Sequence, residues 1–183
     1  VRETGGKNAY RNLIVQSYNT NIDLAFKHLK MPVDKVQNRL MAEVHYYDPW
    51  DFCGDDGSSY KYLWGAPYKD MNGVSNWGQE DYLDDTFHKM KSQFYDKGIP
   101  VILGEYGAML RDALPEPQLT THKESRCYYL KSVTAKALEK GIVPVYWDNG
   151  GGGSNSFALI DRSGLKVGQP DALQALMEGA GKR

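Results

Sequence analysis

The chain has 183 residues, a formal net charge of −1 and 41% hydrophobic residues, which suits one globular domain with its own core. The near-neutral balance argues against nucleic acid, which rewards a basic face. No apolar run is long enough to span a bilayer, so no membrane partner is expected. Val1 follows no initiator Met and no secretory signal is visible, so processing or a larger parent protein is expected. Cys53 and Cys127 stand in dissimilar contexts, without metal-ligand spacing, and read as free or buried thiols.

The first apolar run is Leu13-Ile14-Val15-Gln16 and the second is Leu40-Met41-Ala42-Glu43-Val44-His45. Both have the near-continuous hydrophobicity of parallel strands covered by helices. The connection over residues 48–79 is long and turn-rich, holding Trp50, Trp64 and Trp77, and such loops in compact domains are usually functional. Leu83, Phe87, Met90 and Phe94 then form the stripe of an amphipathic helix. A third strand is read over Val101–Glu105. A second helical stripe follows at Cys127, Leu130, Thr134, Ala137 and Leu138. The fourth strand is read over Val143–Trp147.

Both helices end at a Lys-Gly pair, Lys97-Gly98 and Lys140-Gly141, where glycine suits a left-handed cap and lysine the negative end of the helix dipole. The text after each glycine is similar, and the two glycines lie 43 residues apart. This weak repeat of helix, glycine, strand and functional residue fits a β/α unit with a generous loop. The glycine run Gly150–Gly153 has neither phosphate-binding signature, and the ordered text after it argues against a domain linker.

Polar and aromatic residues collect at the strand ends: Gln16, then His45 and Tyr47, then Glu105, then Trp147 and Asp148. Simple alternation puts Glu43, His45 and Tyr47 on one face, Leu103 with Glu105, and Val145 with Trp147. A carboxylate ending an apolar strand is expensive unless partnered. Taken singly, Glu105 could be a buried ion pair or cap, His45 a core histidine and Trp147 a core aromatic. Three independent structural reasons would be needed to place all of them at successive strand ends. The 13 Tyr and 4 Trp against 5 Phe also suit sugar stacking, although such surfaces serve protein partners too.

The order Glu-Val-His-Tyr-Tyr-Asp-Pro (43–49), Val-Ile-Leu-Gly-Glu-Tyr-Gly (101–107) and Val-Tyr-Trp-Asp-Asn-Gly (145–150) resembles glycoside hydrolase family 5, the cellulase family. It is most similar to the bacterial endoglucanase and xyloglucanase branch, subfamily 4. The opening Thr4–Gln16 resembles that branch's approach to its fifth strand. The resemblance implies an α/β fold, the C-terminal half of a (β/α)₈ TIM barrel with strands five to eight, over residues 1–183. It also implies a retaining endo-β-1,4-glucanase that binds a β-glucan polysaccharide. Glu105 would be the nucleophile, Tyr47 its hydrogen-bond partner, His45 an orienting group and Trp147 the floor of the cleaved subsite. Trp50, Trp64, Trp77, Asp148 and Asn149 would contact sugar further along.

The family's acid/base is a glutamate after an asparagine, and no Asn-Glu occurs here, so that group is expected outside the chain, on a first-half barrel segment. The chain alone is therefore expected to be inactive. The alternatives are a non-catalytic glucan-binding half-barrel, or a hydrolase of mannan or mixed-linkage glucan. No cofactor or metal is expected, because His28, His45, His88 and His122 lack ligand spacing. Calcium is the alternative for the loop bearing Asp48, Asp51, Asp55 and Asp56. The resemblance further implies a secreted, cell-surface or periplasmic bacterial protein.

Overall fold

The computed structural model describes residues 1–182. Four strands form one parallel sheet in sequential order: β1 (Leu13–Gln16), β2 (Leu40–Tyr46), β3 (Val101–Tyr106) and β4 (Ile142–Pro144). Helix α1 (Ile22–His28) lies between β1 and β2. A short α2 (Trp50–Cys53) and α3 (Glu80–Gln93) separate β2 from β3, and α4 (Gln118–Glu139) separates β3 from β4. A small antiparallel pair, β5 (Ile160–Asp161) and β6 (Lys166–Val167), precedes the final α5 (Pro170–Gly179). Consecutive parallel strands with helices packed on one face are the half-barrel arrangement.

The core lies between sheet and helices. Ala42, Val44, Val101 and Leu103 are fully buried against Leu83, Phe87 and Met90 of α3 and Leu130, Val133 and Ala137 of α4. The ring of Tyr46 meets Phe87 edge-on at 5.0 Å, and the Tyr106 hydroxyl lies 2.7 Å from Thr134 Oγ1. The expected α3 stripe is wholly buried, including Phe94 just beyond the helix. In α4, Leu130, Thr134 and Ala137 are buried, Cys127 is half-buried and Leu138 is exposed. Leu138 is adjacent to Ala137, about 100° further round the helix, which turns it off the packed stripe. Gly98 and Gly141 both take left-handed conformations, with φ of 79° and 74°. Cys53 and Cys127 are free thiols.

The opposite face of the sheet is open. Ile14, Val143 and Val145 are about half exposed there, at 50%, 51% and 46%. Simple alternation grouped Leu103 with Glu105. The structure corrects that grouping. The β2–β3 register pairs Val44 with Leu103 but His45 with Glu105, which leaves Gly104 as an extra residue on β3. This bulge reverses the phase of the strand, as an inserted residue must. Val101 and Leu103 face the helices, and Glu105 emerges on the face that carries Glu43 and His45.

The fourth strand is shorter than expected, since regular pairing stops at Pro144. The chain still runs beside β3: Val145 N–H donates to Leu103 O at 2.9 Å and Trp147 N–H to Tyr106 O at 3.0 Å. Pro144 has no N–H to give, which interrupts the ladder without turning the chain away.

Candidate active site

Glu105 sits at the C-terminal end of β3, and His45 is its register partner on β2. Tyr47, one residue beyond β2, donates its hydroxyl to Glu105 Oε2 at 3.0 Å. His45 Nδ1 lies 3.3 Å from the same oxygen. Its other ring nitrogen, Nε2, lies 3.2 Å from Glu43 Oε1. Glu43, His45, Glu105 and Tyr47 therefore form one chain of contacts across two strand ends. Burial first, then the hydrogen bond and charge of Glu105, push the Tyr47 phenol far up. It stays protonated and acts as a donor to the carboxylate.

Two residues of this cluster escaped the reading of strand ends. Alternation placed Glu43 on the face of His45 and Tyr47 but assigned it no role. Phe157 is mostly buried and packs edge-on against Tyr47 at 5.8 Å, bracing the ring from the far side. No local pattern in the glycine-rich stretch before Phe157 announces this contact.

A cleft of about 390 Å³ opens beside the cluster. It is lined by His45, Tyr47, Asp48 and Trp50, by residues 19–23 at the start of α1, and by Tyr82 and Thr86 of α3. Trp50 is 53% exposed and its ring meets that of Tyr47 edge-on at 6.3 Å. Trp147 is 42% exposed beyond β4 and shares the open face with Val143 and Val145. Trp77 is partly exposed and packs edge-on against Tyr82, outside the cleft lining.

Trp64 is not available to a ligand: it is fully buried. Its indole N–H donates to Gly78 O at 2.6 Å, and its ring meets Tyr129 at 5.0 Å. The Ser125 hydroxyl bridges its backbone N–H and carbonyl, at 2.7 and 2.9 Å. This tryptophan pins the long connection to α4, because a large apolar ring with one donor is most stable where both needs are met. His122 is a second pin. Its Nε2 accepts the Arg111 N–H at 3.0 Å and its Nδ1 lies 2.8 Å from the Tyr62 carbonyl.

Asp148 and Asn149 also serve the protein. Asp148 accepts N–H groups from Gly150, Leu159 and Ile160 at 2.7, 2.9 and 3.1 Å. Burial raises its carboxyl, but these three donors and Arg162 outweigh it and leave the group below its ordinary value. Asn149 Oδ1 accepts from the Ser156 hydroxyl at 3.1 Å. These bonds shape the glycine loop, whose backbone donors need local acceptors. The aspartates of the long connection have separate partners. Asp48 meets Tyr82, Asp51 takes the Ser75 hydroxyl, and Asp55 takes the Gly57 N–H. Among the described residues no three His, Cys, Asp or Glu side chains gather as a metal site. No helix among them is long and apolar enough to cross a membrane.

The family model for cellulase, glycosyl hydrolase family 5, matches residues 1–153. Endoglucanase A of Paenibacillus barcinonensis is 39% identical over 98% of this chain and 46% of its own length. A family 5 xyloglucanase of Bacteroides ovatus, solved in complex with a XXXG heptasaccharide, superposes with a TM-score of 0.92 at 40% identity. That match covers 99% of this chain and 38% of the other. A family 5 xyloglucanase of Paenibacillus pabuli, solved with a ligand, gives 0.90 at 39% identity over 98% and 51% of the two chains. The chain thus spans about half, or less, of the length of these relatives. The Glu43–His45–Tyr47 strand end, the carboxylate on the neighbouring strand and the family match agree: the chain belongs to glycoside hydrolase family 5, and its fold is part of that family's TIM barrel.

Proposed function

We propose that residues 1–183 form the second half of the catalytic domain of a retaining endo-β-1,4-glucanase of cellulase or xyloglucanase type. The observation that carries this reading is the convergence of Tyr47 and His45 on one oxygen of Glu105, at the C-terminal strand ends where barrel enzymes place their chemistry. Oε2 is held by both groups. Oε1 has no hydrogen-bond partner among the described residues and is the oxygen that attacks.

In this mechanism a lone pair of Glu105 forms a bond to the anomeric carbon. The glycosidic C–O bond breaks, its electrons pass to the leaving oxygen, and the acid/base glutamate protonates that oxygen. Water, deprotonated by the same glutamate, then displaces Glu105, and two inversions give retention. The acid/base belongs to a first-half segment, about 5–5.5 Å from the nucleophile as retention requires. Tyr47 steadies the nucleophile as a donor, and Trp147 and Trp50 offer apolar ring faces to the sugars. The half-exposed Ile14, Val143 and Val145 are the surface which that segment covers. A polymeric substrate fits a secreted or cell-surface bacterial enzyme.

The test uses the complete enzyme and its Glu105→Gln variant. Turnover should fall more than about a thousandfold while oligosaccharide binding persists, because shape is kept and nucleophilic charge is lost. NMR of the first-formed product should show the β anomer. Near-normal turnover in the variant, or an α anomer formed first, would overturn the assignment. Hydrolysis by this chain alone, lost in Glu105→Gln, would show that the acid/base lies within it. Glucan binding without turnover by the complete protein would favour a binding module.

A further inference from the structure

We propose that Glu43 is a positioning residue, whose carboxylate holds the His45 ring so that Nδ1 faces Glu105. This rests on the reading of Glu105 as nucleophile and adds a group to the machinery that carries no chemistry of its own. Three observations support it. Glu43 Oε1 is 3.2 Å from His45 Nε2, and the opposite ring nitrogen is 3.3 Å from Glu105 Oε2. Glu43 is largely buried on the open face of the sheet, and among the described residues no lysine or arginine pairs with it. A carboxylate in such a place needs a partner, and among the described residues the imidazole is that partner.

The third observation is Gly104. A Cβ built there would overlap Glu43 Oε1 and crowd the rest of its carboxylate. The extra residue of the β3 bulge is therefore the one residue type that leaves room for this side chain. One local feature turns Glu105 toward His45 and admits the carboxylate that orients the same histidine.

An imidazole held at one nitrogen only can turn about its χ2 bond or exchange its two faces. With one nitrogen 3.2 Å from Glu43 and the other 3.3 Å from Glu105, the ring is held between two carboxylates in one orientation. Misplacement of a group beside the reacting centre by about 1 Å can cost up to a hundredfold in rate. Glu43 acts on the reaction only through His45.

The experiment compares Glu43→Ala, Glu43→Gln and Gly104→Ala in the complete enzyme. Glu43→Ala should lower kcat about tenfold or more with little change in KM. Glu43→Gln keeps an acceptor oxygen and should restore most of that loss. Gly104→Ala reaches the same carboxylate without altering it. The overlapping atom is the far end of a flexible side chain, so the fold survives while the carboxylate is displaced, and kcat should fall similarly. The Glu43→Ala/Gly104→Ala double variant should be no worse than either single one, because both remove one interaction.

A spectroscopic readout separates this proposal from the assignment of Glu105. The His45 Nε2–H proton, assigned by its loss in a His45 variant, should exchange slowly in the parent and in Glu43→Gln. It should be lost to solvent exchange in Glu43→Ala and Gly104→Ala. Unchanged kcat in Glu43→Ala, additive losses in the double variant, or a protected Nε2–H without Glu43 would each overturn the proposal. Full activity of Glu105→Gln would sink the nucleophile assignment while the ring proton still reported on Glu43.

Discussion

The Tyr47 hydroxyl donates to Glu105 Oε2 at 3.0 Å although the two residues lie 58 positions apart. They end up adjacent because β2 and β3 are neighbours in register and both side chains emerge past the same end of the sheet. The bond holds one oxygen of Glu105 and leaves the other without a hydrogen-bond partner among the described residues.

Tyr47→Phe in the complete enzyme should therefore lower kcat on cello-oligosaccharides by roughly 10–100-fold, with KM changed less. The ring and its contact with Phe157 are kept, so only the donor is lost. Steady-state kinetics with wild-type thermal stability as a control checks this. An unchanged kcat would remove Tyr47 from the machinery.

Trp64→Ala should destabilise the protein by about 3–5 kcal/mol, the usual cost of emptying a buried tryptophan site. Urea unfolding of the complete protein measures it. The fraction that remains folded should keep its KM, because the ring contacts Tyr128 and Tyr129 rather than the cleft. A raised KM with unchanged stability would restore Trp64 to the substrate-binding surface.

His122 links stability to pH. Burial, the dominant cause, lowers its pKa to about 4 from 6.5, as both ring nitrogens are used in the neutral form. The unfolded chain therefore binds more protons between these values, and the native state loses stability as pH falls from about 6.5 toward 4. The full loss from this group is on the order of 3 kcal/mol. Unfolding free energies measured across that window should fall in the parent and fall less steeply in His122→Gln. Parallel slopes in the two proteins would show that His122 is not the linked group.

Asp148→Ala should loosen residues 149–160 by leaving the N–H groups of Gly150, Leu159 and Ile160 without their acceptor. The expected cost is about 1–3 kcal/mol, with faster amide exchange at those three positions. Loss of oligosaccharide affinity with unchanged exchange would return Asp148 to a sugar-binding role.

Much of the architecture was legible in the residues themselves. Continuous apolar runs marked the four strands, the stripe Leu83, Phe87, Met90 and Phe94 marked α3, and Lys140-Gly141 marked the end of α4, whereas α3 stops at Gln93 and Lys97-Gly98 closes the 3-10 turn that follows it. These are local signals: periodicity reports which face is buried, and a glycine reports where φ must turn positive. The strand-end residues His45, Tyr47 and Glu105 could be read for the same reason, since polar groups on apolar strands stand out along the chain.

Tertiary structure decided what depends on partners distant in sequence. Alternation alone placed Leu103 and Glu105 together, because no local pattern reveals that β3 takes an extra residue against β2 at Gly104. Trp50 and Trp64 both read as loop tryptophans. Only packing shows that one is half open beside Tyr47 and the other sealed under α4. Asp148 and Asn149 follow a strand-end tryptophan and read as site residues, yet the backbone N–H groups that claim Asp148 come mainly from residues 11 and 12 positions later. Glu43 carried its spacing in plain view, but its partner became evident only when folding set His45 between two carboxylates. Sequence determined which residues can form strands, helices and a reactive cluster, because those are properties of short segments. Register, burial and the choice of hydrogen-bond partner are properties of the assembled sheet, and they decided which of those residues meet.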